Sequence, residues 1–205
     1  MDKGKGVALQ PDPFVVDPLA EHVSTMIFLH GLGDKPEDLV GTVEYWRSHG
    51  LLGHVKFVLP CAPIIPFTAK VYDGSPNALQ TDEDVDGILA SRDYIHSLIK
   101  REIRAGIPAS RILVGGFSQG GAVAVLAGLT YTEPLAGIVM LSAWLPLAAN
   151  FLDHVPEDPP NRETVVFQCH GTLDRVVPVE VGKKSRDAML GMKFKNSWDV
   201  YESVV

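Results

Sequence analysis

The sequence predicts an α/β fold, in which a mostly parallel sheet carries helices on both faces. Two observations support this prediction: short apolar, β-rich runs recur along the chain, and segments long enough for a helix separate most of them. Strands joined through helices form right-handed β-α-β units, and such units build parallel sheets. The chain has 205 residues, 46% of them hydrophobic, which suits a single well-buried domain.

The first part of the chain contains several prolines. Residues 1–23 are expected to form an extended amino-terminal arm, because Pro11, Pro13 and Pro18 interrupt them, and residues 24–205 to form the domain.

Four elements follow the arm, in the order strand, helix, strand and long loop. Their predicted bounds are a strand at 25–29, a helix at 36–49 that begins with Pro36, a strand at 55–59 and an irregular loop at 60–81.

The second part of the chain contains the clearest helix. Residues 82–104 place apolar side chains at helical spacing, with acidic residues at the start and Lys100, Arg101 and Arg104 at the end, which matches the helix dipole. The segment 106–108, Gly-Ile-Pro, ends it. The remaining predicted elements are a strand at 111–114, a helix at 119–130, a strand at 137–141, an irregular stretch at 142–163, a strand at 164–168, a helix at 179–190 and a strand at 197–204.

Composition excludes some classes of function. The net charge of −7 and the absence of a large basic cluster argue against a nucleic-acid partner. The two cysteines, Cys61 and Cys169, are expected to be buried reduced thiols, which fits a reducing compartment. The longest apolar stretch, 134–149, is interrupted and too short to span a bilayer, so we expect a soluble protein of the cytoplasm, with the nucleus as a further location. The sequence is also compatible with transient contact between the protein and a membrane surface.

The most informative motif is a serine turn between a predicted strand and a predicted helix. Residues 116–120 read Gly-Phe-Ser-Gln-Gly, the G-x-S-x-G pattern of the α/β-hydrolase fold. In that fold the glycines let strand and helix pack closely, and the serine hydroxyl stands exposed above the sheet edge. We therefore predict that Ser118 is a catalytic nucleophile. The alternative is a glycine-rich turn with a solvated serine.

Two further loops at the same predicted sheet edge offer partners for this serine. The backbone N–H groups of Leu32, in the loop 30–34, and of Gln119 are candidates for an oxyanion hole, although the His30-Gly31 pair also suits a simple tight turn. Asp174 follows the strand at 164–168 and occupies the place of the acid in the hydrolase order. Its alternative roles are a helix cap and an ion pair with Arg175.

The general base has no obvious candidate. His170 precedes Asp174, on the wrong side for the hydrolase order, and is expected to be a hydrogen-bonded loop residue instead. No histidine follows Asp174 in the sequence. Because a serine without its base is a poor nucleophile, we expect these 205 residues to be nearly inert and to represent a C-terminally truncated hydrolase that lacks the catalytic histidine and the final helix. The seven histidines are His22, His30, His49, His54, His96, His154 and His170.

The chain resembles the acyl-protein thioesterase and lysophospholipase family of small serine hydrolases without a cap domain. The resemblance is carried by six motifs in order, at residues 30–34, 59–63, 106–112, 115–121, 141–146 and 168–178. It implies the same roles for Ser118, Asp174, Leu32 and Gln119, and it places Trp144 and Leu145 near an acyl-binding groove. Tyr72 stands in a shortened version of a family segment at the mouth of that groove.

The expected function is hydrolysis of fatty acyl thioesters or esters through an acyl-enzyme, with S-acylated proteins or lysophospholipids as substrates. No cofactor is required, because serine, imidazole and backbone amides suffice. No metal site is expected, since no His/Asp/Glu set has ligand spacing. Two alternatives remain: an acyl-binding module without turnover, and a carboxylesterase for short acyl chains. The oligomeric state is not predicted.

Overall fold

A seven-stranded sheet forms the centre of the molecule. The computed structural model describes residues 11–50, 52–62 and 83–202. The strands are ordered β1-β3-β2-β4-β5-β6-β7 across the sheet, and every neighbouring pair is parallel except β1 with β3. Their bounds are β1 Phe14–Val16, β2 Ser24–Leu29, β3 Val55–Leu59, β4 Ile112–Phe117, β5 Gly137–Leu141, β6 Val166–Gly171 and β7 Asn196–Tyr201.

Helices cover both faces of the sheet, as the sequence predicts. Helices α2, α3 and α4 pack on one face, where their apolar residues join those of the strands in two large buried clusters. Helix α1 lies on the other face, over β2 and β3, and Trp46 packs there against Phe28 and Phe57. The helices are α1 Val40–Ser48, α2 Val85–Arg104, α3 Gln119–Thr130 and α4 Val179–Gly191, with short 3-10 turns at Pro36–Leu39, Ala109–Arg111 and Phe151–His154.

The strand register brings four loops to one edge of the sheet. Leu29 pairs with Gly116, Phe117 with Leu141, and Leu141 with Cys169. Because β2, β4, β5 and β6 run parallel, the loops that follow them leave the sheet at nearly the same level. The carboxyl edge of a parallel sheet is where ligands bind in open α/β folds.

The amino-terminal boundary of the domain differs from the prediction. Residues 14–16, expected in an extended arm, form edge strand β1 and pair antiparallel with β3. The arm is extended, but the sheet includes it, and the domain therefore begins before Ser24. A run of three residues is too short for strand periodicity to be read from the sequence.

Two strands extend further towards the carboxyl edge of the sheet than the sequence predicts. Strand β4 extends to Phe117, and β6 to Gly171 instead of ending at Gln168. Cys169 and His170 are thus strand residues, and the expectation of a loop at His170 was wrong. The two cysteines are free, as expected, but both are half-buried, so the expectation of fully buried thiols was also wrong.

Candidate active site

Ser118 occupies a strained turn between β4 and α3. Its backbone has φ 53° and ψ −125°, in the half of conformational space that non-glycine residues rarely adopt. Such a conformation costs about 1–3 kcal/mol and persists only where the surrounding structure imposes it. The Ser118 N–H donates to the carbonyl of Leu141 at 2.9 Å, and its carbonyl accepts from the N–H of Ala122 at 3.1 Å.

Glycines make the turn possible by allowing close backbone contact. A Cβ on Gly116 would overlap the backbone of Gly120, and a Cβ on Gly120 would overlap the carbonyl oxygens of His30 and Leu29. A Cβ on Gly121 would come within 2.7 Å of the Ala143 Cβ. Helix α3 therefore begins directly against the ends of β2 and β4, as the G-x-S-x-G pattern predicts.

The Ser118 side chain is free for chemistry. The residue is half-buried, and its hydroxyl does not cap α3, although Ser118 holds the N-cap position. A serine at an N-cap ordinarily satisfies one of the first N–H groups of the helix. Here the Ser118 side chain makes no such bond, so its hydroxyl is not used by α3.

The loop after β2 lies beside the serine turn. Gly31 packs on the ring of Phe117, since a Cβ on Gly31 would lie 3.1 Å from that ring. Leu32 follows on a turn that the Asp34 N–H closes onto the Gly31 carbonyl at 3.3 Å, and Leu32 is 57% exposed. Within the described residues, neither the Leu32 N–H nor the Gln119 N–H has a backbone acceptor. Both predicted oxyanion donors thus belong to adjoining segments at the carboxyl edge.

His30 connects this loop to the end of β3. Its Nδ1 donates to the Gly31 carbonyl at 2.8 Å, and its Nε2 accepts from the N–H of Ala62 at 3.3 Å. A ring that donates at one nitrogen and accepts at the other is neutral. His30 is buried, so it supports the loop and is not offered to a ligand.

Asp174 is firmly oriented in the loop after β6. Its Oδ1 accepts from the N–H groups of Val176 at 2.8 Å and Val177 at 2.9 Å. Its side chain is only 7% exposed, and its Oδ2 lies 3.6 Å from the Nε2 of His170. One oxygen is therefore held by two backbone donors, while the other has no close donor among the described residues. Asp174 does not cap a helix, as one predicted alternative had it, because α4 begins at Val179 with Pro178 as its N-cap and no side-chain cap bond. Its bonds stay within the loop and leave Oδ2 available.

Three residues were predicted to contact substrate. Trp144 is half-buried in the loop after β5, which begins at Ser142 with φ 46°. Leu145 is fully buried in the core beneath that loop and offers no surface to a ligand. Tyr72 lies outside the described residues.

Two polar side chains that the sequence analysis did not single out hold the Trp144 loop in place. The Leu145 N–H donates to the Ser185 hydroxyl at 2.9 Å, and the Leu147 N–H lies 3.0 Å from both carboxylate oxygens of Glu83. Burial raises the pKa of Glu83, against the opposing effect of that hydrogen bond. Nothing in the local sequence marks either residue, because their partners are backbone groups far away in the chain.

All seven histidines lie within the described residues, and one of them, His170, has a ring nitrogen 3.6 Å from the Asp174 carboxylate. His170 comes nearest to the Asp174 carboxylate, but its imidazole is wholly buried and its Nε2 donates to the Val177 carbonyl at 2.7 Å. Across residues 11–50, 52–62 and 83–202, no three His, Cys, Asp or Glu side chains form a group that could hold a metal ion.

Comparison with known proteins decides the family. Residues 10–204 match the family described as phospholipase/carboxylesterase. The chain belongs to the phospholipase/carboxylesterase family. The predicted resemblance, the α/β-hydrolase fold and the assignment as a hydrolase are thereby confirmed.

Relatives of this phospholipase/carboxylesterase chain include two fungal acyl-protein thioesterases 1. The protein from Neurospora crassa is 43% identical over 201 residues, which cover 92% of this chain and 82% of the relative. The protein from Yarrowia lipolytica is 40% identical over 207 residues, which cover 96% and 90%.

Solved structures of similar fold include two plant proteins. Arabidopsis thaliana SOBER1 superposes with a TM-score of 0.78 at 25% identity and covers 88% of this chain and 90% of its own. Zea mays acyl-protein thioesterase 2 gives a TM-score of 0.73 at 25% identity, covering 93% and 89%. Among the helices in the described ranges, none combines the length and apolar character that crossing a membrane requires.

Proposed function

We propose that this chain is the scaffold of a serine hydrolase that cleaves fatty acyl thioesters or esters through an acyl-enzyme. The observation that carries the proposal is the strained conformation of Ser118, whose hydroxyl makes no hydrogen bond to the helix that begins directly after it. Strain of this kind is retained at functional sites. The fungal relatives named acyl-protein thioesterase 1 support S-acylated proteins as the substrate class.

In the proposed mechanism each described residue has one role. The Ser118 hydroxyl attacks the acyl carbonyl as an imidazole takes its proton, and the N–H groups of Leu32 and Gln119 stabilise the developing oxyanion. The carbon–sulfur or carbon–oxygen bond then breaks, the leaving thiol or alcohol takes up that proton, and water later releases the acyl group from Ser118. Donors fixed before the charge develops lower the barrier, and losing one costs roughly 10²–10³ in kcat in a characterised protease. Asp174 orients an imidazole through Oδ2 and stabilises its cation. Trp144 contributes to the wall along which the acyl chain lies.

No histidine follows Asp174 in the sequence, and His170 is buried with its Nε2 bonded to the Val177 carbonyl. We therefore propose that the 205 residues contain the nucleophile, the acid and the oxyanion donors without the base. In a characterised protease, loss of the histidine alone costs roughly 10⁶ in kcat. Ester hydrolysis by the 205 residues is accordingly expected to equal that of their Ser118→Ala variant. A rate that depends on Ser118 in this chain would contradict the proposal.

The proposed substrates are S-acylated proteins or lysophospholipids, encountered in the cytoplasm or at a membrane surface. The test uses the product of the complete reading frame with an S-palmitoyl peptide, a lysophospholipid and p-nitrophenyl esters of two to sixteen carbons. We expect turnover of long acyl chains that Ser118→Ala abolishes. Ser97→Ala is the matched control, because Ser97 lies on α2 and its hydroxyl donates only to the Tyr94 carbonyl.

Each alternative predicts a different outcome of the same test. Preference for two to four carbons would indicate a short-chain carboxylesterase. Binding of long-chain substrate without turnover would indicate an acyl-binding module. Equal hydrolysis by the product of the complete reading frame and by its Ser118→Ala variant would refute the assignment of the nucleophile.

A further inference from the structure

His170 is a buried histidine directly beneath the loop that carries Asp174. It lies on β6, and its side chain has no exposed surface. The ring is enclosed by α4 and β7: a Cβ on Gly182 would come within 2.5 Å of its Nδ1, and the indole of Trp198 lies alongside it with ring centroids 6.1 Å apart. The imidazole therefore has a single orientation and no access to substrate.

The hydrogen bonds of this ring assign its proton. Nε2 lies 2.7 Å from the carbonyl oxygen of Val177, and a carbonyl only accepts, so Nε2 carries the hydrogen. Nδ1 is buried and has no hydrogen-bond partner among the described residues. A buried polar atom without a partner carries a free-energy cost, which suggests that the position has a role besides packing.

The same peptide segment links His170 to Asp174. Val177 accepts from the His170 ring through its carbonyl and donates to Asp174 Oδ1 through its N–H at 2.9 Å. The ring also lies 3.6 Å from Asp174 Oδ2 on the other side of the carboxylate. The rigid imidazole thus holds Val177 through its carbonyl, and the N–H of the same residue, in the preceding peptide group, holds the acid.

We propose that His170 is a positioning residue, which orients the Asp174 carboxylate by anchoring the Val177 carbonyl through Nε2–H. This inference rests on the proposed function of Asp174 as the acid of a serine hydrolase. His170 does not touch substrate, and it is not the base. Its effect reaches the reaction through the direction of Asp174 Oδ2.

The protein contains a matched control for this role. His96, on α2, is a half-buried histidine whose Nε2 donates to a backbone carbonyl, that of Ala127, at 2.8 Å. It lies between α2 and α3, next to Tyr131. Replacing either histidine by leucine removes one hydrogen bond from a ring N–H to a backbone carbonyl, which is buried for His170 and partly buried for His96.

The experiment compares His170→Leu, His170→Gln and His96→Leu in the product of the complete reading frame, with a long-chain ester as substrate. We expect His170→Leu to lower kcat about 10- to 100-fold with little change in KM, because a small misplacement of a catalytic group has effects of this size. His170→Gln should recover most of kcat, since its amide N–H can donate to Val177. His96→Leu should lose stability and keep kcat. Wild-type kcat in His170→Leu, or an equal loss in His96→Leu, would overturn the proposal.

A second measurement does not depend on activity. In ¹⁵N-labelled 205-residue chain, the ring nitrogens of His170 are assigned by the signals that disappear in His170→Gln. We expect a protonated Nε2 and an unprotonated Nδ1, and faster hydrogen exchange of the Val177 amide in His170→Leu than in His96→Leu. A proton on Nδ1 alone, or unchanged exchange, refutes the positioning role even if Ser118 proves catalytic. If Ser118→Ala keeps full activity while these signals appear as expected, the proposed function fails and the anchoring of Val177 stands.

Discussion

Ser118 shows how one residue combines strain with an unused functional group. Its positive φ would suit glycine, and its hydroxyl would suit an N-cap bond, yet the chain has a serine there that makes no such bond. Neither property serves stability. Both suit the proposed role of Ser118 as a nucleophile, which has to project from the sheet edge towards a substrate.

The cost of this conformation can be measured with two variants. Ser118→Ala keeps the Cβ and the strain, whereas Ser118→Gly removes both. Glycine relieves the positive φ but adds chain entropy to the unfolded state, so we expect Ser118→Gly to be more stable than Ser118→Ala by about 0.5–2 kcal/mol. Urea denaturation measures the difference. An alanine variant as stable as the glycine variant would show that the turn is not strained.

Gly120 is the residue at which close approach matters most. Its substitution by alanine would push a methyl group into the carbonyl oxygens of His30 and Leu29, which belong to the strand end and cannot move independently. We expect Gly120→Ala to destabilise the fold by about 2–4 kcal/mol, in the upper range for single substitutions. Gly41→Ala, on the surface helix α1 with nothing within 4 Å of its Cβ, is the control and should be neutral or stabilising.

If the two alanine variants had equal stability, the close packing of α3 on β2 would not be the reason for glycine at position 120. Circular dichroism would report whether the variant retains native secondary structure.

At the scale of elements, the interface between α2 and α3 contains a titrating group. Burial holds the pKa of His96 below its ordinary value, and this outweighs the opposing effect of its hydrogen bond to Ala127. Arg92 and Lys100 act in the same direction as burial, while Asp93 opposes it. The folded state therefore binds fewer protons than the unfolded state as His96 titrates.

The stability of this interface should depend on pH. With a folded pKa below the unfolded one, the contribution of His96 is complete above the unfolded pKa, near 6.5, and is lost as pH falls through the folded pKa. We expect the free energy of unfolding to fall more between pH 7.5 and 5.5 in wild type than in His96→Gln. Parallel curves for the two proteins would contradict the assigned direction of the shift.

At the scale of the whole molecule, the fold follows from the sequence because its elements are locally marked. The apolar runs of β2 to β6 and the amphipathic α2 give the order of elements, and the strand order then follows from parallel crossovers. The sequence does not predict the parts of the sheet that form only because a distant segment pairs with them. Strand β1 exists only because β3 offers an edge, and β6 extends to Gly171 because β7 pairs with it along its whole length.

The candidate site likewise has one part that could be predicted from the sequence and another part that could not. Ser118 and its glycines form a local motif, so the sequence predicts their geometry. Glu83, Ser185 and His170 act through backbone groups from other segments, and no spacing in the sequence indicates those contacts. The family resemblance placed Leu145 near the acyl-binding groove together with Trp144, but Leu145 is buried in the core, and the resemblance does not show which side chains of the loop face inwards.

The central claim is that Ser118 is the nucleophile of a serine hydrolase, and a covalent probe tests it most directly. The product of the complete reading frame is treated with a long-chain fluorophosphonate, digested and sequenced by mass spectrometry. We predict one phosphonylated residue, Ser118, and no labelling of the Ser118→Ala variant. Labelling of a different serine, or an unmodified Ser118 in protein that hydrolyses esters, would contradict the account.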